Sequence, residues 1–533
     1  MPFHVRHGFA AALWVALCLG LAGPAPAAPS GAAEQVAGLA AADSALAPFY
    51  ALREGRPLWS VAGGPLAPDA LIAALEAAPS HALPAAAYGA EELRAKLAQA
   101  AESPDRAAAA EIALSRALAR YAGDMAAGAL RPSRVDPDIH VFPLRPEPAA
   151  LLSAAAAAPD LAAWLARLEP REPGYDRLRA IYAQMRTQTA EGGWRVRLGE
   201  GGTLRPGDAG PRVTQLRHRL AELGDPAPAT DRPEVFDAGL AGALKEFQRR
   251  HGLNADGVAG RMTFAALGAD AGERLRQAAV NLERMRWRQV PLDERTHILV
   301  NLPDYAMRFV EDGTTVHESR AVVGSTARQT QEFSGEMTYL VVNPTWNVPR
   351  SIATRDILPI LREDPDYLRR KGMRLESTAG VPADPYSHDY TRYSESSFPY
   401  RIRQAPGPGN SLGRVKFMFP NQFNIYLHDT PEKHLFARDR RAYSSGCVRV
   451  ENPFRLAHLL LAPQLADPEG TFQSWLDTGR ERYVNLDRPV RVHITYRTVW
   501  VDETGRPQFR ADVYGRDAKV WAALEAAGLD AGL

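Results

Sequence analysis

The chain has 533 residues, of which 46% are hydrophobic and 23% charged, with a formal net charge of +1. That length exceeds one ordinary core and predicts roughly two to four domains of soluble, globular type. The near-neutral balance excludes a protein that binds nucleic acid or anionic membrane through bulk charge, so a charged partner has to be met locally.

Residues 1–27 read as an export signal. "MPFHVRHG" is weakly basic, "FAAALWVALCLGLAG" is apolar but short, and "APA" at Ala25–Ala27 offers small residues for cleavage before Ala28. Cys18 lies in the apolar run, but Leu17 precedes it where lipoprotein processing favours a small residue, which argues against a lipid anchor. No later stretch reaches the ~18 uninterrupted apolar residues of a membrane helix, so an exported, soluble protein without a membrane span is expected. Exported proteins usually pair their thiols. Loss of Cys18 leaves Cys447 with no intramolecular partner. Such a thiol is either buried and inert or kept for its reactivity.

Residues 34–200 are rich in Ala and Leu, and "AAAAEIALSRALARYAGDMAAG" carries apolar positions at three- and four-residue spacing. They predict an all-α scaffold with no carboxylate pair, metal spacing or phosphate loop. Residues 204–268 predict a compact module of three short helices. Val213, Leu216, Leu220 and Leu223 share one helical face that stops at Gly224. Leu240, Leu244 and Phe247 repeat the pattern, and an Asp256-Gly257 turn precedes a helix with Phe264 and Leu267. Residues 269–292 form a charged linking helix.

From residue 296 to 512 the texture becomes β-rich, in short β-branched runs separated by Gly, Pro and Asp turns. A hairpin turning at Glu503, Thr504 and Gly505 lies near its end, and residues 513–533 form a tail helix. Residues of about 352–413 interrupt this domain with a helical start and a polar, Tyr- and Ser-rich middle. An insertion of that length in a compact domain suggests a lid. The fold class is multidomain α+β.

The stretch "NIYLHDTPEKHLFARDRRAYSSGCVRVENP" concentrates the chemistry. Strand alternation puts Tyr426 and His428 on one face and Ile425 and Leu427 on the other. Cys447 follows on a tight segment after Ser444, Ser445 and Gly446, and Asn452 and Pro453 open a helix. An ordinary thiol is only a few per cent thiolate at neutral pH, and a neighbouring imidazole can take its proton and stabilise the thiolate as imidazolium. Gly446 permits a backbone φ that aims main-chain N–H groups at one point, an oxyanion hole for acyl transfer. The bland alternatives are a buried small hydrophobe for Cys447 and a hydrogen-bonded core histidine for His428. A metal set of His428, His434 and Cys447 matches no familiar zinc spacing. Ser444 and Ser445 either close a turn or hydrogen-bond imidazole or substrate. Arg449 pairs with Glu451 or holds a substrate carboxylate. Asp429, adjacent to a strand-end histidine, is expected to point elsewhere, leaving a backbone carbonyl to orient the ring.

Two resemblances are carried by these words. "LRPGD", "FQRRHGL" and "DGVAGRMTFAAL" resemble the peptidoglycan-binding domain 1 family, which implies a module that grips wall glycopeptide or acts as a spacer. "YLHDTP…YSSGCVRVENP" resembles the L,D-transpeptidases with a YkuD-type catalytic domain, in which His is followed after 15 to 18 residues by Ser/Thr-x-Gly-Cys-hydrophobic-Arg/Asn; here residues 429–443 intervene. Ser445 stands where many members have a second His, a departure shared by the large periplasmic YcbB-like branch. "NPTWNVPRSIA", "DPDYL" and "RQAPGPGNSLGRVKFMFPN" also resemble that branch, whereas "TQEF" at Thr330–Phe333 departs from a common Thr-Pro.

The resemblance implies a periplasmic enzyme without cofactor. Cys447 is then the nucleophile on a stem tetrapeptide, His428 the general base and acid, and the backbone N–H groups around Gly446 and Cys447 the oxyanion hole. Ser445 and Arg449 support the site. Tyr426, Ser444, Trp346 and Asn347 shape the substrate cleft under the insertion. A 3→3 cross-link to a second stem's diamino acid is the implied product, and carbapenems the implied covalent inhibitors. Peptidoglycan, and other wall-synthesis proteins, are the implied partners. Water as acceptor makes the same site an L,D-carboxypeptidase or cysteine hydrolase of wall peptides. A wall-binding scaffold with an inert Cys447 is the non-enzymatic alternative.

Overall fold

The computed structural model describes residues 32–172, 174–287 and 294–530. The expected signal at 1–27 and the end of the linking helix lie outside the described residues. Among those described, no helix is long and apolar enough to cross a membrane. Two compact units emerge, one built from the chain up to Pro68 with Glu92–Arg116, the other from Asp69–Glu91 with Ala117 onward.

The first unit is helical and organised around one buried acid. Glu111 accepts hydrogen bonds from the Tyr50 hydroxyl (2.6 Å) and the N–H groups of Leu58 (2.5 Å) and Trp59 (2.9 Å). A carboxylate so deep in a core is tolerable because donors surround it.

In the second unit, helix α1 (Tyr175–Ala190) precedes the three-helix module: α2 (Pro211–Glu222), α3 (Ala238–Arg250) and α4 (Arg261–Gly268). Pro211 sits at the first turn of α2, where its missing N–H costs nothing. Asp237 caps α3 by accepting the Leu240 N–H at 2.8 Å. Val213, Leu216, Leu220, Leu240, Leu244 and Phe247 meet in the module's core. The module docks on the C-terminal hairpin: Arg250 pairs with Asp225 and donates to the Pro507 carbonyl at 2.9 Å, and His251 stacks between Phe247 and Phe509.

Helix α5 (Ala271–Arg286) begins with a capping box between Asp270 and Glu273. It is the charged linking helix expected from the sequence, and the structure buries nearly all of its described residues. Leu275, Ala278, Ala279 and Leu282 pack in a cluster with α1, the hairpin and the last helix, while Arg286 is paired with Glu283 at 2.8 Å. Burial of charges is possible here because Arg284 and Arg286 meet carboxylates inside, and Arg274 is held by Gln277, the Ala266 carbonyl and the Phe509 ring.

The β-rich domain holds a sheet of nine strands. These are β1 (His297–Asn301), β2 (Ala306–Glu311), β3 (Thr314–Gly324), β4 (Phe333–Val342), β9 (Val415–Met418), β10 (Leu427–His428), β11 (Ala442–Ser444), β12 (Val448–Val450) and β13 (Arg482–Thr495). Their order is β11-β3-β12-β10-β9-β4-β13-β1-β2, and β2 also pairs with β3, so the sheet closes on itself. Ile298, Val300, Met337, Leu340, Phe417 and Leu427 fill its interior, backed by helix α6 (Pro453–Leu461). Pro453 occupies the first turn of α6 as expected, but Asn452 makes no side-chain cap bond.

The insertion starts with the expected helical turns, through Ala353–Ile357, Leu358–Glu363 and Tyr367–Arg370, and its polar middle is a folded lobe of its own. Strands β5 (Trp346–Asn347), β6 (Met373–Ser377), β7 (Pro382–Ala383) and β8 (Tyr400–Gln404) form a second sheet in the order β5-β8-β6-β7. Leu358, Leu361, Leu375, Phe398 and Ile402 give it a separate core. The hairpin β14 (Val499–Val501) and β15 (Pro507–Phe509) turns through Gly505 at φ +83°, then leads to helix α7 (Arg516–Ala526). It joins the α1/α5/α7 cluster rather than the main sheet.

Candidate active site

The parallel pairing of β10 with β12 sets His428 opposite Arg449 and brings the segment before β12 alongside Tyr426. The Val448 N–H donates to the Tyr426 carbonyl at 3.1 Å, which fixes Cys447 one residue earlier at the same end of the sheet. Ile425 and Leu427 point into the sheet's core, while Tyr426 and His428 face a cavity of about 1000 Å³ beneath the inserted lobe. Cys447, Ser444, Ser445, Arg449, Trp346 and Asn347 line the same cavity, so it collects every expected site residue except Gly446. His434 is exposed on the turn at Lys433–Ala437 and does not line it.

Gly446 has φ +117°, a conformation that side chains rarely adopt. Its N–H donates to Ser444 Oγ at 3.2 Å, and Ser444 Oγ in turn donates to the Cys447 carbonyl. The Gly446 amide is therefore engaged within the loop. The Cys447 N–H has no hydrogen-bond partner among the described residues, which leaves it the available one of the two expected amides. An orphan N–H beside a thiol is a donor free to meet a developing oxyanion.

From behind, Thr330 Oγ1 donates to the Gly446 carbonyl at 2.8 Å and accepts the Gly324 N–H at 2.9 Å. Thr330 is fully buried and held by Arg516, whose guanidinium donates to the Thr330 carbonyl at 3.0 Å and to Glu332 at 2.6 Å. The unusual Gln331 meets His140 Nε2 at 3.1 Å, and the His140 ring packs on Phe423 at 4.3 Å. Arg328 donates to Ser445 Oγ at 2.9 Å and binds Asp356 of the inserted lobe, joining the lobe to the cysteine loop. Sequence alone flagged neither Arg328 nor Arg516. Asp356 lies 28 residues from Arg328, and Ser445 and the Thr330 and Glu332 partners of Arg516 lie more than a hundred residues away, so they leave no local pattern.

The His428 ring is buried, and its Nδ1 lies 2.5 Å from the Asp429 carbonyl, which makes Nδ1 the protonated nitrogen and leaves Nε2 as the basic one. Asp429's carboxylate is occupied by the N–H groups of Thr430 (2.7 Å) and Arg414 (2.8 Å) and by Lys433. Burial, with Arg449 and Lys416 nearby, depresses the imidazole pKa to about 3 despite the Asp429 carbonyl. Cys447 is partly exposed at the cavity floor, yet closely enough packed that burial pushes its thiol up; Tyr426 and the cations Lys416 and Arg449 oppose that. At rest the thiol's hydrogen bond goes to the Asn424 carbonyl at 3.6 Å. The pair is thus a neutral thiol and a neutral imidazole, not the thiolate–imidazolium pair that the sequence suggested.

Arg449 binds neither Glu451 nor an open space. Its Nη1 meets the Glu432 carboxylate, so it braces the loop after His428. The expected pairing with Glu451 is thereby replaced by one with Glu432, while Arg449 still lines the cavity.

A closed β-rich sheet presenting Cys and His to one cavity defines a domain built for catalysis at its rim, and comparison with known proteins gives the class. Residues 295–492 match the "L,D-transpeptidase catalytic domain" (YkuD), residues 209–267 the "Putative peptidoglycan binding domain", and residues 44–181 a "Scaffold domain". The chain carries a YkuD-type L,D-transpeptidase catalytic domain together with a peptidoglycan-binding module and a helical scaffold, a multidomain α+β architecture. A Haemophilus influenzae protein named "Putative L,D-transpeptidase" is 36% identical over 250 residues, which is 45% of this chain and 48% of that protein. The chain thus spans about half the length of this curated relative. Solved L,D-transpeptidases from Stackebrandtia nassauensis and Xylanimonas cellulosilytica are each 15% identical, with TM-scores of 0.22 and 0.17, over 57% and 56% of this chain and 97% and 100% of theirs. Overall likenesses that slight carry no weight for the chemistry of this site.

Proposed function

We propose that this chain forms 3→3 cross-links in peptidoglycan through a cysteine acyl-enzyme. The observation that supports this most is the convergence of a neutral, carbonyl-oriented imidazole and a single partly exposed thiol in one large cavity of an L,D-transpeptidase domain. The thiol of Cys447 attacks the carbonyl between the diamino acid and the terminal D-Ala of a tetrapeptide stem. Its proton passes to His428 Nε2 as the carbon–sulfur bond forms. Because both partners start neutral, charge develops only in the transition state, where a preorganised site gains most. The Cys447 N–H, unpartnered at rest, receives the oxyanion. Collapse breaks the C–N bond, His428 returns the proton to the leaving amine, and a thioester remains.

The side-chain amine of a second stem's diamino acid then attacks the thioester, loses a proton to His428 and expels the thiol. The inserted lobe, tied to the cysteine loop through Arg328, limits water in competition with this amine. The docked module presents wall glycopeptide to the cavity's owner, and residues 1–27 direct the protein to the periplasm. Carbapenems enter the same thioester chemistry by ring opening. Product analysis on disaccharide-tetrapeptide tests the reading. A dimer that has lost one D-Ala is expected, and tripeptide alone assigns the chain to carboxypeptidase chemistry instead.

A further inference from the structure

Five cations line the cavity, and four are accounted for by their surroundings. Arg328 is bound to Asp356, Arg449 to Glu432, and Arg350 to the carbonyls of Glu395, Ser396 and Phe398. Lys371 is exposed at the rim. The fifth is Lys416, half-buried, with no hydrogen bond and no ion pair among the described residues. Its Nζ lies over the Tyr426 ring, 5.1 Å from the centroid. A partly desolvated ammonium with no carboxylate bonded to it is costly, and Glu481 reaches it only as a more distant charge without an ion pair.

Its position is informative. Lys416 on β9 is the direct antiparallel partner of His428 on β10. Residues so paired project from the same face of a sheet with Cβ atoms about 5 Å apart. The thiol of Cys447 and the Lys416 ammonium feel each other's charge, and His428 feels the same ammonium. The cation therefore stands beside both the nucleophile and the group that protonates the leaving amine.

We propose that Lys416 receives the terminal carboxylate of the donor stem and so restricts cleavage to the last residue of that stem. The inference rests on the roles proposed for Cys447 and His428. In a stem ending in a free amino acid, the scissile nitrogen and the carboxylate are borne on one carbon. When the scissile carbonyl sits on Cys447 and the nitrogen faces His428, the carboxylate falls within a few ångströms of the nitrogen, where β9 carries Lys416. An internal peptide bond offers a neutral amide there and leaves the ammonium unpaired. Arg449, which the sequence offered for this task, is already neutralised by Glu432.

The test compares acylation of Cys447 by a tetrapeptide stem and by its C-terminal carboxamide, in the full chain and its Lys416→Met and Lys416→Arg variants, read by intact mass. The wild type should prefer the free acid by about ten- to a hundredfold, the usual worth of a charge-assisted hydrogen bond. Lys416→Met should lower the free-acid rate to that of the amide while leaving the amide rate within about threefold, and Lys416→Arg should restore part of the preference. The amide rate doubles as the control for folding. An unchanged preference in Lys416→Met, or an equal fall on both stems, overturns the proposal alone. Absence of any adduct on wild type from either stem overturns the acyl-enzyme reading, and this proposal with it.

Discussion

Thr330→Val removes one hydroxyl from behind the nucleophile while keeping its shape. That hydroxyl donates to the Gly446 carbonyl at 2.8 Å and accepts the Gly324 N–H at 2.9 Å, and Thr330 has no exposed surface. Each buried backbone group left without its partner costs about 1–3 kcal/mol, so two orphans destabilise the catalytic domain by roughly 2–6 kcal/mol. Ser444 still ties the front of the loop, accepting Gly446 N–H and donating to the Cys447 carbonyl. The loop therefore stays in place on average but loses the clamp that sets the glycine's carbonyl. Misplacement of a nucleophile by about 1 Å can cost around a hundredfold in rate. Thermal unfolding of the variant should show a lowered transition, and single-turnover acylation should slow by about ten- to a hundredfold at saturating stem. Thr330→Ser, which keeps the hydroxyl, should recover most of both. A variant with wild-type melting and wild-type acylation would refute the clamp.

Three further outcomes follow from the site's charges. Because burial raises the Cys447 thiol, its alkylation by iodoacetamide should climb about tenfold per pH unit from pH 6 to 8 without a plateau, whereas a flat rate down to pH 5 would reveal a resting ion pair. His428 is held to about 3 against an ordinary 6.5, so between those values the unfolded chain binds more protons and the fold loses stability as pH falls. His428→Gln should remove that penalty, gaining on the order of 1 kcal/mol per pH unit over wild type as pH drops from 6 to 4 in parallel melts; parallel curves would contradict the depressed imidazole. Arg328→Met cuts the tie from Asp356 to Ser445, and because both side chains of the ion pair are about a third exposed its effect on melting should stay under about 1 kcal/mol. Acylation should nonetheless fall severalfold, and wild-type rates would show that the lobe needs no such tie.

Much of this was legible in the chain. Apolar spacing marked the module's helices, alternation put Tyr426 and His428 on the cavity side, and Asp429 was expected to point away from the imidazole. What stayed hidden depends on long-range pairing. The sequence marked helix α5 only as a charged linking helix, and the burial of Arg284, Arg286 and Glu283 makes sense only through their buried partners. The inserted lobe's sheet joins Trp346 to Gln404 across a polar stretch with no clean alternation. Thr330, Arg516 and Lys416 sit in unremarkable words of the sequence, and their meaning comes from neighbours that only the closed sheet supplies. Arg449 misled for the same reason: Glu451 is nearer in sequence, but Glu432 is nearer in space.

Intact-mass spectrometry of the protein after incubation with disaccharide-tetrapeptide tests the acyl-enzyme directly. Cysteine catalysis requires a thioester adduct equal in mass to the stem less D-Ala on wild type, and none on Cys447→Ala. A folded protein that gives no adduct, or one that persists in Cys447→Ala, would contradict it.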